Sequence, residues 1–255
     1  MKKRPLPKAW RVLLPLCVWL GLWWALAARI GQPLLLPTPW QVLTCLGELA
    51  GTAAFRTTCL TTLGRVFLGG GMGIVAGVTL AALSARFEGC AAVFSPAVKV
   101  IRATPVASFI ILIWLWASAN WVPVVIAALM AAPIAWSATG QGIGEVDPQL
   151  IELAEVYRFS RWKTVRLVYL PAMENALANG CRTALGFAWK SGVAAEALCR
   201  PVRAMGTAIW NAKTYLETPQ LFAWTAAVVL LSIAVEKLLW GLWNAAERRR
   251  AGGAS

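Results

Sequence analysis

The stretch Asp147-Pro148-Gln149-Leu150-Ile151-Glu152-Leu153-Ala154-Glu155-Val156-Tyr157 lies in the longest polar interval, residues 142–180, of an otherwise apolar chain. Its chemistry starts a helix. An aspartate carboxylate accepts from free N–H groups at a helix N-terminus, and proline suits the first helical position because its missing N–H has no partner there anyway. Leu150, Leu153, Ala154 and Tyr157 then recur at helical spacing and share one face. After Ser160, a second short helix is predicted from Arg161 to Leu170, ending at Pro171. The segment therefore reads as a compact helix–turn–helix with an apolar side, a basic side and two carboxylates, Glu152 and Glu155. On physical grounds alone it suits either an anionic lipid surface or a protein partner.

Around this segment the chain is built to cross a membrane. Hydrophobic residues make up 59% of its 255 residues and charged residues 14%, against about 25% charged in soluble domains. The mean hydropathy is +0.64. A spanning helix needs ~20 apolar residues, and six spans are predicted: Val12 to Ile30, Val66 to Leu83, Ala103 to Ala117, Trp121 to Thr139, Thr183 to Leu198 and Leu221 to Trp243. The first follows a basic leader and is read as a retained helix rather than a signal peptide, although Ala25-Leu26-Ala27 resembles a cleavage site. Trp40 onward is expected to form an amphipathic surface helix. Gly69 and Gly73 form a G-x-x-x-G that permits close helix packing within the subunit.

Charge fixes the orientation. With six spans, both termini and residues 142–180 share one side, which holds 17 lysines and arginines against 5 on the other. Positive charge collects in the cytoplasm, so that side is cytoplasmic, and the net charge of +13 is accounted for without nucleic acid. The divisions are a leader over 1–11, a transmembrane domain over 12–243 with its loop at 147–171, and a tail over 244–255. The absence of histidine removes histidine-based acid–base chemistry and His-ligated metals. The six cysteines have no C-x-x-C spacing and are read as packing residues. No catalytic residue, metal or cofactor is expected.

The polar loop resembles the EAA loop of binding-protein-dependent ABC importer permeases. That family's pattern is Glu-Ala-Ala, three residues, Gly, nine residues, Ile, any residue, Leu-Pro; here the same spacing holds Glu152-Leu153-Ala154, Arg158 and Val168-Tyr169-Leu170-Pro171. Leu36-Pro37-Thr38-Pro39, Arg102-Ala103-Thr104-Pro105, Val146-Asp147-Pro148, Ser160-Arg161-Trp162 and Ala194-Ala195-Glu196 look like the nitrate, sulfonate and taurine branch. The chain departs from the pattern with Leu153 for the first alanine, Arg158 for glycine and Phe159 for a common alanine, a bulky pair that alters the turn between the loop helices.

The resemblance implies an all-α membrane protein with the type I importer permease fold, in the bacterial plasma membrane. It implies a permease homodimer, two cytoplasmic P-loop ATPase subunits and an extracytoplasmic substrate-binding protein. The loop would couple to the ATPase through Glu152, Leu153, Ala154, Tyr157, Arg158, Leu170 and Pro171, with Leu153, Ala154 and Tyr157 packed into its groove. The chain has no G-x-x-x-x-G-K-[ST] of its own with which to bind ATP. The solute implied is a sulfonate, nitrate, taurine-like anion or vitamin precursor.

Two ionisable residues in the fifth span are candidates for the pathway. Lys190 sits near its middle, where a lysine costs ~2.5–3.5 kcal/mol on insertion scales and so calls for a cavity or a partner. Glu196 has Arg200 four residues on, and an ion pair between them is the simplest expectation. Arg102 is expected to snorkel to the cytoplasmic interface. An ion-gradient-driven secondary transporter is the alternative, but no repeat of the kind common in such folds is evident. A membrane enzyme would need clustered ionisable groups at one depth.

Overall fold

The computed structural model describes residues 10–252. Most of the basic leader, residues 1–9, and the end of the tail, residues 253–255, lie outside the described residues. The chain runs α1 (Trp10–Ile30), α2 (Pro39–Ala50), α3 (Ala53–Arg86), α4 (Glu88–Ala103), α5 (Val106–Trp114), α6 (Val122–Gly144), α7 (Pro148–Val156), α8 (Arg161–Thr164), a π turn (Val165–Tyr169), α9 (Leu170–Cys199), α10 (Met205–Thr214) and α11 (Thr218–Gly252). Among the described residues the regular structure is all helical. Four helices are long and apolar enough to span a membrane: α1, α3, α6 and α11, or five spans if the bent pair α4–α5 counts as one.

Local chemistry sets several of these ends. Thr38 caps α2 by accepting from the Gln41 N–H, and the Gln41 side chain accepts from the Thr38 N–H, a reciprocal box that satisfies two otherwise free donors. Thr52 accepts from Phe55 N and starts α3. The expected surface helix from Trp40 is α2. The expected second span lies inside the longer α3.

The packing centre is the trio α3, α6 and α9, and it is made of small residues. Gly69, Gly73 and Gly77 turn one side of α3 onto α6 so closely that an added Cβ would overlap the carbonyl oxygens of Val124, Ala128 and Ala132. Lipid tails are as apolar as leucine, so membrane helices associate through such close backbone approach. Ala127, Ala131, Ala184 and Ala188 fill the seam, with Val66, Trp189 and Trp224 around them. On the flank, the Trp23 indole donates to Pro37 O at 3.1 Å, and Phe55 lies 4.9 Å from the Trp224 ring.

Two expectations about the elements need correction. The third span does not run unbroken from Ala103 to Ala117. The chain bends by 105° between α4 and α5, with Thr104 extended at ψ 132°. The Pro105 ring disfavours helical backbone at the residue before it, so the helix stops there. Nor does Pro171 end the second loop helix. The backbone passes through α8 and the π turn straight into α9, with Pro171 in its first turn. The Leu170 N–H bonds to Val165 O, five residues back. This wider turn lets the helix continue past a residue that lacks an N–H and whose ring crowds the preceding turn.

Candidate functional site

The loop between α6 and α9 is built as a platform. Asp147 Oδ1 accepts from Gln149 N at 2.9 Å, and Pro148 opens α7. At the other end, Arg158 N donates to Glu155 O and Phe159 N to Ala154 O, both at 2.9 Å. This pair of bonds is the Schellman closure, which requires a left-handed residue after the helix. Arg158 takes that position at φ 50°. Phe159 then folds back beside Ala154, with the Lys163 ammonium 4.1 Å from its ring. Ser160 Oγ accepts from Lys163 N and starts α8.

Inside this loop Val146, Ala154 and Val168 are buried, with Ile151, Phe159 and Tyr169 packed around them. The expected shared face of Leu150, Leu153, Ala154 and Tyr157 is therefore split. Ala154 is 4% exposed and faces the protein, whereas Leu153 is 52% and Tyr157 67% exposed. Because α7 seats Ile151 and Ala154 on the layer below, Leu150, Leu153, Val156 and Tyr157 are left outward. Glu152 and Arg158 are also exposed, as are Leu170 and Pro171 where the loop enters α9.

At the far end of α9 the structure overturns the expected Glu196–Arg200 pair. Glu196 is fully buried, and its Oε1 accepts from Arg65 Nη1 at 3.2 Å. Its Oε2 accepts from Thr62 Oγ1 at 2.9 Å and from Gly206 N at 3.3 Å. Thr62 Oγ1 in turn accepts from Met205 N at 3.0 Å. Arg65 Nη2 donates to Asn120 Oδ1 and to Val202 O, both at 3.0 Å. Arg200 instead ends α9 in the left-handed region at φ 52°, its guanidinium 5.5 Å from the Trp210 ring. A turn in that conformation points the arginine away from the helix axis, so the i, i+4 geometry is lost. Glu196 thus ties α3 and α9 to the start of α10 and is closed off from solvent. Sequence reading missed Arg65 and Thr62, whose only local sign was an arginine at the edge of an apolar span.

Lys190 lies on the exposed side of α9, its Nζ 6.0 Å from the Phe187 ring. Arg102 is exposed and makes a specific contact, donating to Ser137 Oγ at 3.0 Å.

Comparison with known proteins agrees with this architecture. The family model described as "Binding-protein-dependent transport system inner membrane component" matches residues 73–249. The taurine transport system permease protein TauC of Escherichia coli (strain K12) is 27% identical over 229 residues, covering 87% of this chain and 82% of that protein. The putative aliphatic sulfonates transport permease protein SsuC of Bacillus subtilis (strain 168) is 30% identical over 193 residues, covering 74% of this chain and 68% of that protein. Among solved structures, a chain of an amino acid ABC transporter with histidines superposes with a TM-score of 0.63 at 17% identity, over 80% of this chain and 97% of that one. A chain of the MetNI methionine ABC transporter in inward-facing conformations gives 0.58 at 17% identity, over 74% and 93%.

Proposed function

We propose that this chain, which belongs to the binding-protein-dependent transport system inner membrane components in their sulfonate and taurine branch, forms half of an ATP-driven import pathway for a small solute. Two copies enclose the pathway in the bacterial inner membrane. Each has six spans, with the leader at 1–11 and the tail at 244–255 on the cytoplasmic side. A separate P-loop ATPase supplies the energy, and an extracytoplasmic binding protein delivers the solute. The solute is a sulfonate, nitrate, taurine-like anion or vitamin precursor.

The observation that carries this reading is the outward apolar face of α7. Leu153, Val156 and Tyr157 are each more than half exposed on a loop whose backbone is closed by paired hydrogen bonds and whose inner side is packed. An apolar face held so rigidly is suited to a protein groove. Leu153 and Tyr157 enter that groove, and Glu152 makes a charge-assisted contact at its edge. Ala154 supports them from below, and Arg158 sets the turn. Leu170 and Pro171 begin the helix that links the platform to Lys190. Because α8, the π turn and α9 form one continuous helix, a displacement of the loop is carried into the membrane.

The test is uptake by right-side-out vesicles supplied with the host's extracytoplasmic proteins, using labelled taurine, methanesulfonate and nitrate. Uptake of at least one solute requires internal ATP and persists when ionophores collapse all ion gradients. Uptake that follows an ion gradient and ignores ATP overturns the proposal in favour of a secondary transporter.

A further inference from the structure

α9 is sided in an unusual way for a membrane helix. Gly180, Ala184, Ala188, Gly192 and Glu196 are buried against the core. Asn175, Asn179, Thr183, Gly186 and Lys190 fall on exposed positions at helical spacing. The Thr183 hydroxyl is satisfied by Asn179 O at 2.9 Å, but hydrocarbon satisfies none of the hydrogen bonds of Lys190 inside the expected span, so that side meets water or protein there rather than lipid tails.

Beside this face a recess of about 250 Å³ opens between α9 and α11. Thr183, Phe187, Trp189 and Lys190 line it from α9, and Ser232 and Glu236 from α11. At one end the charges are already engaged. Arg182 Nε pairs with Glu236 Oε1 at 3.4 Å, and the guanidinium lies 4.3 Å from the Trp240 ring. One charged donor on the recess wall remains unmatched. Among the described residues no carboxylate pairs with Lys190, whose ammonium approaches only the Phe187 ring. The Trp189 indole N–H also has no acceptor, but it is buried in the core behind the recess wall and out of reach of a solute there.

The geometry points to this recess as a subsite for the anionic head of the transported solute, a sulfonate or nitrate-like oxyanion. Lys190 supplies the charge, and the Ser232 hydroxyl supplies a neutral donor. The inference rests on the proposed permease role and names the residues that select for anions within it. Thr183, Asn179 and Asn175 continue as a polar track along α9, with Asn175 roughly 22 Å from Lys190 at 1.5 Å per residue. An anion leaving Lys190 toward the cytoplasm meets hydrogen-bonding side chains along that track. The neutralised Arg182–Glu236 pair leaves Lys190 as the dominant charge of the recess.

The experiment places a reporter thiol in the recess. Ser232→Cys is made in the full chain, in native membranes, and treated with 2-sulfonatoethyl or 2-(trimethylammonium)ethyl methanethiosulfonate. Modification of position 232 is read by peptide mass spectrometry, and the rate ratio of the anionic to the cationic reagent is divided by the ratio for free cysteine. The expected value is about fivefold or more at low ionic strength, from one nearby uncompensated charge. Lys190→Arg keeps the preference, Lys190→Gln abolishes it, and added methanesulfonate slows the anionic reagent. Thr183→Cys serves as reporter if Ser232→Cys does not accumulate. Equal rates, no reaction with either reagent, or a preference that survives Lys190→Gln overturns the assignment. The ratio is read with or without a bound ATPase. A chain that binds no ATPase but keeps the anion preference therefore refutes the permease role and leaves the recess standing.

Discussion

Arg65 and Glu196 stand 131 residues apart in the chain and meet at 3.2 Å inside it, the carboxylate fully buried. Thr62 and the Gly206 N–H complete the shell, so one carboxylate joins α3 and α9 to the first turn of α10. Removing one member of a buried, hydrogen-bonded ion pair strands the other and costs about 3–5 kcal/mol. Glu196→Ala is therefore expected to lower the thermal midpoint of the purified chain sharply. Glu196→Gln, which keeps acceptor and shape, lowers it less. Arg200→Ala, at the position first expected to pair with Glu196, has a small effect. Equal losses for Glu196→Ala and Arg200→Ala contradict this arrangement.

The glycine run in α3 offers a matched comparison. A Cβ at Gly73 overlaps the backbone of Ala128, whereas one at Gly71 meets nothing within 4 Å. Gly73→Ala forces α3 and α6 apart and costs about 1–3 kcal/mol or more. Gly71→Ala removes a flexible residue from a half-buried helix position with open space for a Cβ and is worth about 0.5–1 kcal/mol of stabilisation. Thermal unfolding of the two variants in one detergent checks the opposite signs.

Arg158 holds a left-handed conformation at φ 50° where the EAA pattern has glycine. For an L-residue that conformation costs roughly 1–2 kcal/mol. Arg158→Gly is expected to keep the loop closed, to raise or preserve stability, and to retain ATPase binding. Arg158→Val, β-branched, is expected to loosen the loop. Protease cleavage near residue 158 measures both effects.

If the proposed recess binds the solute, transport is expected to follow the charge at Lys190. Lys190→Gln raises KM for an anionic solute by about tenfold or more, the loss of one charge-assisted hydrogen bond of ~1.5–3 kcal/mol. Lys190→Arg retains most uptake. Uptake assays at matched protein level read this, and an unchanged KM in Lys190→Gln contradicts it.

Much of the fold was legible because membrane helices are set by composition over long windows, and loop helices by a few capping residues. Asp147-Pro148 marked the start of α7, and the spacing of Gly69 and Gly73 marked the close face of α3. The errors came where distant packing or one backbone detail decided the outcome. Pro105 and Pro171 are both prolines beside apolar runs, yet the first breaks its helix and the second sits inside a continuous one. The difference is the π turn ahead of Pro171, which leaves no mark in residue type. Ala154 shares helical spacing with Leu153 and Tyr157, but the smallest side chain of the set is the one that fits against Val146 and Val168. The partner of Glu196 was invisible because helical spacing favours Arg200, while the true contact depends on how α3 packs against α9.

The proposed coupling requires the outer face of α7 to dock a separate ATPase. Its most direct test is purification of the tagged chain from its native host in mild detergent, with mass spectrometry of the proteins that accompany it. Docking through α7 predicts a stoichiometric P-loop ATPase that is lost when Glu152 and Tyr157 are changed together to alanine, while the chain's own yield and thermal midpoint are unchanged. A stable chain that comes out alone even after crosslinking, or an ATPase whose binding is indifferent to those two substitutions, contradicts it.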